Sequence, residues 1–431
     1  MHYNLRLSGL KKKLKYNMSL FIQKFGGTSV GSIDRIIHVA NIIQETIQAG
    51  HQVVVVVSAM SGETDRLIQL AEKINAAPQA REYDALLATG ECVSAALVAM
   101  ALQQRGLPAI SLNGIQAQIE TTAAHTRARI TYVGEKISQL LLEKKIPIVT
   151  GFQGVNAKGD LTTLGRGGSD TTAVALAAFL SADECHIFTD VVGVFTADPR
   201  IVADAQLLSR ITHIEMLALA RLGSKVLHAQ AAEFAKKHRI PVRILSSFEP
   251  GEGTCIHEST GLKNPRVSGI ALDKRAIKIT IMGITNEAVI AKQLLPALKL
   301  ADFEIDMMIE NHTGSDISVA FVIHVDALQS AQYFSQSIAK TILAREVIID
   351  TDVAKLSLVG LGMKSHAGLA AKIFEALSAE EIIIQLITST DATISVLVHK
   401  AHADRAVQLL HRAFSLMQPH GITLDARSVT D

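Results

Sequence analysis

The chain has 431 residues, a formal net charge of +1, 48 % hydrophobic and 19 % charged residues. That apolar content can build two or three packed domains and excludes a disordered chain. The near-neutral charge calls for no nucleic-acid or acidic-membrane partner, so any anion binding must be local. Cys92, Cys185 and Cys255 are too few and too scattered for a disulfide framework or a zinc site, which fits a reducing cytoplasmic home, and no apolar run is expected to reach the length of a membrane span.

A basic cluster, Lys11 to Lys13 with Lys15, precedes Met18 without an apolar core behind it, which argues against a secretory signal. Residues 1–17 read as a tail, with Met18 an alternative start; a genuine basic arm is the other reading. Phe21 to Phe25 is a short apolar strand that runs into KFGGTSVGS and then a helix from Ile33 to Ala49. Strand, Gly26-Gly27-Thr28-Ser29 and helix start form either a tight capped turn or a phosphate cradle of backbone N–H groups and hydroxyls. Lys24 stands at the strand end, where a point cation could reach a phosphate, although no Gly-Lys-Ser/Thr Walker pattern occurs.

Gln52 to Ser58 is a β-branched run that reads as a central parallel strand, ending in Ser58, Ser61, Gly62, Thr64 and Asp65. Thr64 and Asp65 either cap the next helix or face a ligand. Helices are expected over Asp65–Ala76 and Tyr83–Gln104. Glu91 is a lone acid beside Gly90 in the second, either an exposed helical residue or a partner for a substrate ammonium. Residues 113–130 read as loops or irregular strands. The strand Ile146–Phe152 leads to TLGRGGSDTT, the stretch around which the rest is organised. Gly165, Gly167 and Gly168 free the backbone, Arg166 offers a planar cation for a carboxylate or phosphate, and Ser169, Asp170 and Thr171 open a helix whose N-terminus favours an anion. By itself this is also readable as a Gly-rich turn with a capped helix.

Cys185–Thr189 is a strand followed by DVVGVFTADPR, where Asp190, Phe195, Asp198 and Arg200 could hold a base, ribose and phosphates or simply form a turn. A helical region from Ile214 to His238 is interrupted near Gly223, placing Lys225 at its second helix start. Gly- and strand-end hydroxyl groups near Lys24, Ser58, Thr150 and Asp190 recur where open α/β sheets bind ligands.

Pro250, Pro265 and three glycines punctuate 249–266, read as a linker. Beyond it, 278–325 and 355–402 repeat at an offset of 77: Lys278 aligns with Lys355, Gly283 with Gly360, Ile305 with Ile382, and Ile317-Ser318 with Ile394-Ser395. Each copy reads as a ferredoxin-like βαββαβ unit without a catalytic constellation, which points to ligand sensing.

These motifs in this order (KFGGTSVG, VVVSAMSGETD, TGE, the Gly151–Ala177 stretch with LGRGGSD, TDVVGVFTADPR and GSKVLH) resemble the aspartokinase family from Leu20 to about Val429. The resemblance implies an α/β amino-acid kinase fold, a mainly parallel sheet between helices, over 18–248, followed by two ACT domains at 267–347 and 348–431. It implies transfer of phosphate from ATP, with Mg²⁺, to the side-chain carboxylate of L-aspartate. Lys24 and Asp170 would be catalytic; Ser58, Thr64, Glu91, Arg166, Gly168 and Ser169 would hold aspartate. ATP would lie on Lys24, Gly26, Gly27, Thr28, Ser29, Thr189, Asp190, Phe195, Asp198, Arg200 and Lys225, with no protein metal ligand. Phe195 stands where the family often has tyrosine. In the first ACT unit Met282, Ile284, Asn286, Asp306 and Asn311 match the effector segments, but Thr285-Asn286-Glu287-Ala288 lacks the common Pro-Gly and Glu310 replaces a glutamine. Lysine, threonine or both are the expected effectors, a homodimer or larger oligomer through the ACT units is expected, and no further domain is expected after them. The rival expectations are another amino-acid kinase of this fold and a catalytically inactive amino-acid sensor.

Overall fold

The computed structural model describes residues 19–224, 226–258, 266–284, 286–301, 303, 305–313, 316–363 and 367–417. Residues 1–17, Met18 and Lys225 lie outside the described residues, as does part of the expected linker. The chain divides into two compact units, one comprising residues up to Asp190 with Ile240–Val242, the other Val191–Arg239 with everything from Arg243 onward.

The first unit runs β1 (Leu20–Phe25), α1 (Ile33–Gln48), β2 (Gln52–Val57), α2 (Glu63–Ile74), α3 (Ala80–Leu87), α4 (Thr89–Gln103), β3 (Ala109–Leu112), β4 (Ile119–Thr121), β5 (Ile130–Val133), α5 (Lys136–Leu142), β6 (Ile146–Thr150), β7 (Gln153–Val155), β8 (Leu161–Thr163), α6 (Gly168–Phe179) and β9 (Glu184–Thr189). Its main sheet has the order β9-β1-β2-β6-β3, all parallel. The five valines Val53–Val57 of β2 lie buried at its centre, as a run with no polar alternation requires. A smaller sheet, β5-β4-β7-β8, stands beside it. Ser32 caps α1 through its side chain, and Gly167, at φ +69°, turns the chain into α6.

Two expectations change here. The helix expected over Tyr83–Gln104 is two, α3 and α4, meeting at Ala88, which keeps helical angles and so carries no breaker in the sequence. The joined run Ala80–Gln103 is long and apolar enough to cross a membrane by length and composition. Its apolar length instead covers the sheet, with Ser94, Ala95, Val98, Ala99 and Leu102 buried.

The second unit runs β10 (Arg210–Thr212), α7 (His213–Arg221), α8 (Ala229–His238), β11 (Val242–Ser246), β12 (Thr254–His257), β13 (Arg266–Asp273), β14 (Ala276–Ile284), α9 (Glu287–Val289), a π turn (Ile290–Leu294), α10 (Leu295–Leu300), β15 (Met307–Thr313), β16 (Asp316–His324), α11 (Leu328–Thr341), β17 (Glu346–Asp350), β18 (Val353–Leu361), α12 (Ala367–Ser378), β19 (Leu386–Ser389), β20 (Thr393–His399) and α13 (Ala403–Ala413). A capping box between Thr212 and Glu215 starts α7. The helix expected to begin near Lys225 begins at Ala229.

The repeat takes the expected form in its first copy, a β15-β16-β14-β17 sheet. The second copy departs from it. Its sheet has the order β13-β18-β20-β19, so the fourth strand comes from upstream of the first copy and pairs antiparallel with β18 from Arg266–Leu361 to Asp273–Lys355. Residues 267–273, expected in the first copy, thus take in the second the place that β17 takes in the first. One face of each sheet packs on its own helices, as with Ile277, Ile279, Ile281, Val319 and Phe321 in the first. The opposite faces meet through Ala276, Met307, Ala320, Val322, Val353, Leu386 and Leu397, the period-two alternation of a strand. The equivalent lysines of the repeat lie at this junction: Lys278 bonds Gln385 of the second copy, and Lys355, 2 % exposed, pairs with Asp306 of the first.

Candidate active site

The carboxyl ends of β1 and β2 and the starts of α4 and α6 converge. Nζ of Lys24, the next-to-last residue of β1, lies 2.6 Å from Oδ1 of Asp170 in the first turn of α6. Both are largely buried. The glycine loop after β1 is pinned by Gly26 N–H donating to Phe188 O (3.2 Å) and by Gly27 O accepting from Ser61 N–H (3.1 Å). A Cβ on Gly27 would sit 2.9 Å from Ala59 O, and one on Gly90 2.9 Å from Ala59 Cβ, so Ala59, two residues after β2, is approached closely by a glycine on either side. Ser29 is buried in this loop and Thr28 is exposed.

Glu91 is the most unusual group of the site. It is 3 % exposed; Oε1 accepts from Ala59 N–H at 3.1 Å, and Oε2 has no partner among the described residues. Burial pushes its carboxyl up to about 7, opposed by the Ala59 N–H. A buried acceptor held open in this way fits a cationic ligand. Ser58 and Thr64 are half-buried at the same strand end.

The LGRGGSD loop is held from beneath. A Cβ on Gly168 would meet the Phe152 ring at 2.8 Å, and Ser169 is buried against Gly151. Arg166 is exposed and makes no ion pair among the described residues. It stands four residues before Asp170, so their Cα atoms are at most about 14 Å apart. The glycine loop thus carries Arg166 on the same short segment as Asp170.

Sequence reasoning missed Asp84. It is fully buried on α3 and accepts from Thr163 Oγ1 (2.6 Å) and Thr126 N–H (3.1 Å), with His125 Nδ1 at 2.7 Å. It thus ties α3 to the end of β8, directly before the glycine loop. A carboxylate two positions after Glu82 carries no local signal, because its partners lie elsewhere in the chain.

Of the expected nucleotide residues, Thr189 and Asp190 close the first unit, joined by a 3.1 Å hydrogen bond. Phe195, half-buried, Asp198 and Arg200 lie in the second. Asp198 and Arg200 are engaged with each other, Nη2 to Oδ2 at 2.6 Å. That pairing holds the Asp198 carboxyl below its usual range. Among the effector residues, Met282 is half-buried and Asn311 exposed. Ile284 is fully buried in the core, leaving its backbone alone to face a ligand; Asn286 caps α9 by accepting from Val289 N–H; Asp306 holds Lys355.

A parallel sheet with a lysine–aspartate pair and glycine loops at its strand ends defines an ATP-dependent kinase of the amino-acid kinase class, and the profile of the Amino acid kinase family matches residues 19–246. That of the ACT domain matches 356–414. The chain is 47 % identical over 412 residues to an aspartate kinase of Stutzerimonas stutzeri, covering 95 % of this chain and 100 % of the relative. It is similar in structure to E. coli aspartokinase III in complex with aspartate and ADP in the R-state (TM-score 0.76, 26 % identity, 92 % of this chain and 100 % of that one). The T-state of that enzyme with lysine and aspartate gives a TM-score of 0.72 at 27 % identity, over 91 % of this chain and 99 % of that one. The chain belongs to the aspartokinase family.

Proposed function

We propose that this feedback-regulated aspartate kinase binds L-aspartate between Glu91 and Arg166 and transfers the γ-phosphoryl group of ATP at the Lys24–Asp170 pair. The single observation that carries the reading is Glu91, whose unpartnered buried oxygen is matched by the α-ammonium of aspartate, while Arg166 takes a carboxylate bidentately. A side-chain carboxylate oxygen attacks the γ-phosphorus, the bond to the β-phosphate oxygen breaks, and its electron pair leaves on ADP. The attacking carboxylate is already ionised near neutral pH, so no strong base is needed.

Catalysis is then positioning and charge neutralisation. Lys24 and the N-terminus of α6 oppose the charge on the moving phosphoryl group. Asp170, 2.6 Å from Lys24 Nζ, holds the lysine side chain in place until phosphate arrives. Thr189, Asp190, Phe195 and Arg200 are the ATP contacts, with Asp198 orienting Arg200. Mg²⁺ would enter with ATP and supply charge neutralisation at the phosphates, as is usual for this ion.

Lysine is the proposed effector. Glu310 lies 2.8 Å and Glu287 3.9 Å from His312 Nε2, so the effector segments present two carboxylates that favour a cationic amino acid over threonine. The open edges of the two four-stranded sheets support pairing of chains through the ACT units. Cys92, Cys185 and Cys255 form no disulfide, in keeping with a cytoplasmic enzyme.

The test is ADP release by the purified chain with L-aspartate, L-glutamate, N-acetylglutamate and uridine monophosphate as acceptors, with and without lysine or threonine. Aspartate alone should support turnover and lysine should suppress it. Equal turnover with another acceptor refutes the substrate, and no turnover with any acceptor leaves a sensor.

A further inference from the structure

The segment 191–208 belongs by sequence to the kinase domain but packs with the regulatory half. Thr196, which lies between Phe195 and Ala197 and carries no sequence signal, is 4 % exposed. Its N–H donates to Gln206 O and its carbonyl accepts from Ile270 N–H of β13, at 2.9 and 2.8 Å. Its hydroxyl accepts from Gln206 N–H at 2.9 Å and meets Nε2 of His411, on α13, also at 2.9 Å. Five residues on, Ile201 O accepts from the Gln408 amide of the same helix at 3.0 Å. Ala197 and Val202 complete the apolar core formed by Val407, Leu410 and Phe414 of the second ACT unit.

The contact places a polar pair beside an apolar core. His411 is fully buried, and its Nδ1 has no partner among the described residues. Burial pulls the ring below the usual histidine range, so it sits neutral, with Nε2 able to receive the Thr196 hydroxyl proton. A buried nitrogen left unmatched is costly, and the arrangement fixes one particular conformation of the loop. The bridge between Phe195 and Leu207 makes this stretch strand-like. Side chains then alternate, and Phe195 faces away from the side on which Thr196 is gripped.

We propose that Thr196, His411 and Gln408 are positioning residues for nucleotide binding: the second ACT unit is the mount on which the ATP loop is held. Neither β13 nor α13 need touch the nucleotide. Their contacts set which loop conformation meets it, and hence the affinity for ATP. The inference rests on the reading that Phe195 and Arg200 contact ATP.

The test is steady-state kinetics on the full chain with Thr196→Val, Thr196→Ser, Gln408→Ala and, as a control for the loop itself, Phe195→Ala. Thr196→Val keeps shape and loses the hydroxyl. It should raise KM for Mg·ATP about tenfold, the scale of one lost buried hydrogen bond, with KM for aspartate within about twofold of the parent. Thr196→Ser should restore ATP affinity, and Gln408→Ala should give a smaller rise in the same parameter if the valine variant fails to fold. An unchanged KM for ATP in Thr196→Val and Gln408→Ala, beside a raised one in Phe195→Ala, overturns the mount and keeps the ATP site. Parallel loss of affinity for both substrates with a lowered melting temperature overturns it as a merely structural contact. An unchanged ATP affinity in Phe195→Ala removes the ATP reading and this inference together.

Discussion

Lys24 Nζ and Asp170 Oδ1 form a 2.6 Å ion pair between the end of the first strand and the first turn of the helix behind the glycine loop. Removing either partner strands a largely buried charge, at roughly 3–5 kcal/mol. Lys24→Met should lower kcat by about 10²- to 10³-fold, the scale of one lost electrostatic contact to the transition state. Asp170→Asn should lower kcat as well. Rapid-quench or coupled assays at saturating substrates check this, and near-parental kcat in Lys24→Met removes the lysine from the chemistry.

Glu91 predicts an acid limb. The carboxyl sits near 7 in the chain without substrate and must be ionised to pair with an ammonium. The value of kcat/KM for aspartate should fall as pH drops below about 7, and Glu91→Gln should flatten that limb at a reduced plateau. Stability moves the other way. The folded-state value is raised above the ordinary 4.5, so the contribution of this residue is fully present below 4.5 and lost as pH rises to about 7. The melting temperature of Glu91→Gln relative to the parent should therefore climb across that window, by the equivalent of about 3 kcal/mol at most. A flat difference from pH 4.5 to 8 contradicts the assignment.

Arg166 predicts a split between substrates. Arg166→Ala should raise KM for aspartate by about 2–5 kcal/mol in free-energy terms, while KM for ATP stays near the parent. Arg166→Lys should recover little, because a point charge does not reproduce a bidentate clamp. Equal loss for both substrates points instead to a collapsed glycine loop.

Asp84 predicts the effect of a loosened support. Asp84→Ala leaves Thr163, His125 and the Thr126 N–H without their acceptor. It should cost about 2–4 kcal/mol of stability and raise KM for aspartate through the loop that starts at Leu164. Differential scanning calorimetry with kinetics on the same sample tests both at once.

Lys355 and Asp306 predict non-additivity. Asp306→Ala abandons an almost fully buried lysine, and should cost about 2–4 kcal/mol, discounted because Asp306 keeps a third of its side-chain surface in water. The double variant Asp306→Leu with Lys355→Met should be close to the parent in stability yet weakly sensitive to lysine. Chemical denaturation and inhibition curves check the pair, and additive single-site costs refute the coupling.

How much of this was legible follows the distance over which each residue's partner lies. The β-branched β2 and the glycine loops announce themselves within ten residues, and the paired lysines 278 and 355 emerge from the repeat. The break at Ala88 did not, because both sides are good helix formers. Asp84 and Thr196 were silent because what makes them matter comes from far along the chain, 41 residues away at His125 for one and 215 at His411 for the other. The upstream origin of β13 was equally hidden: an alternating strand looks the same whichever sheet receives it.

That strand has a consequence for biosynthesis. The first ACT unit is an insertion between β13 and its partner β18, so β13 leaves the ribosome some 80–95 residues before the edge it must join. At ordinary elongation speed this is a wait of roughly 4–20 s, during which an apolar segment is exposed in the nascent polypeptide. The inserted unit can fold meanwhile, and the second cannot close until synthesis has reached His399, the end of β20. Early termination within 353–400 should therefore yield a sticky, chaperone-bound product rather than a shorter working enzyme.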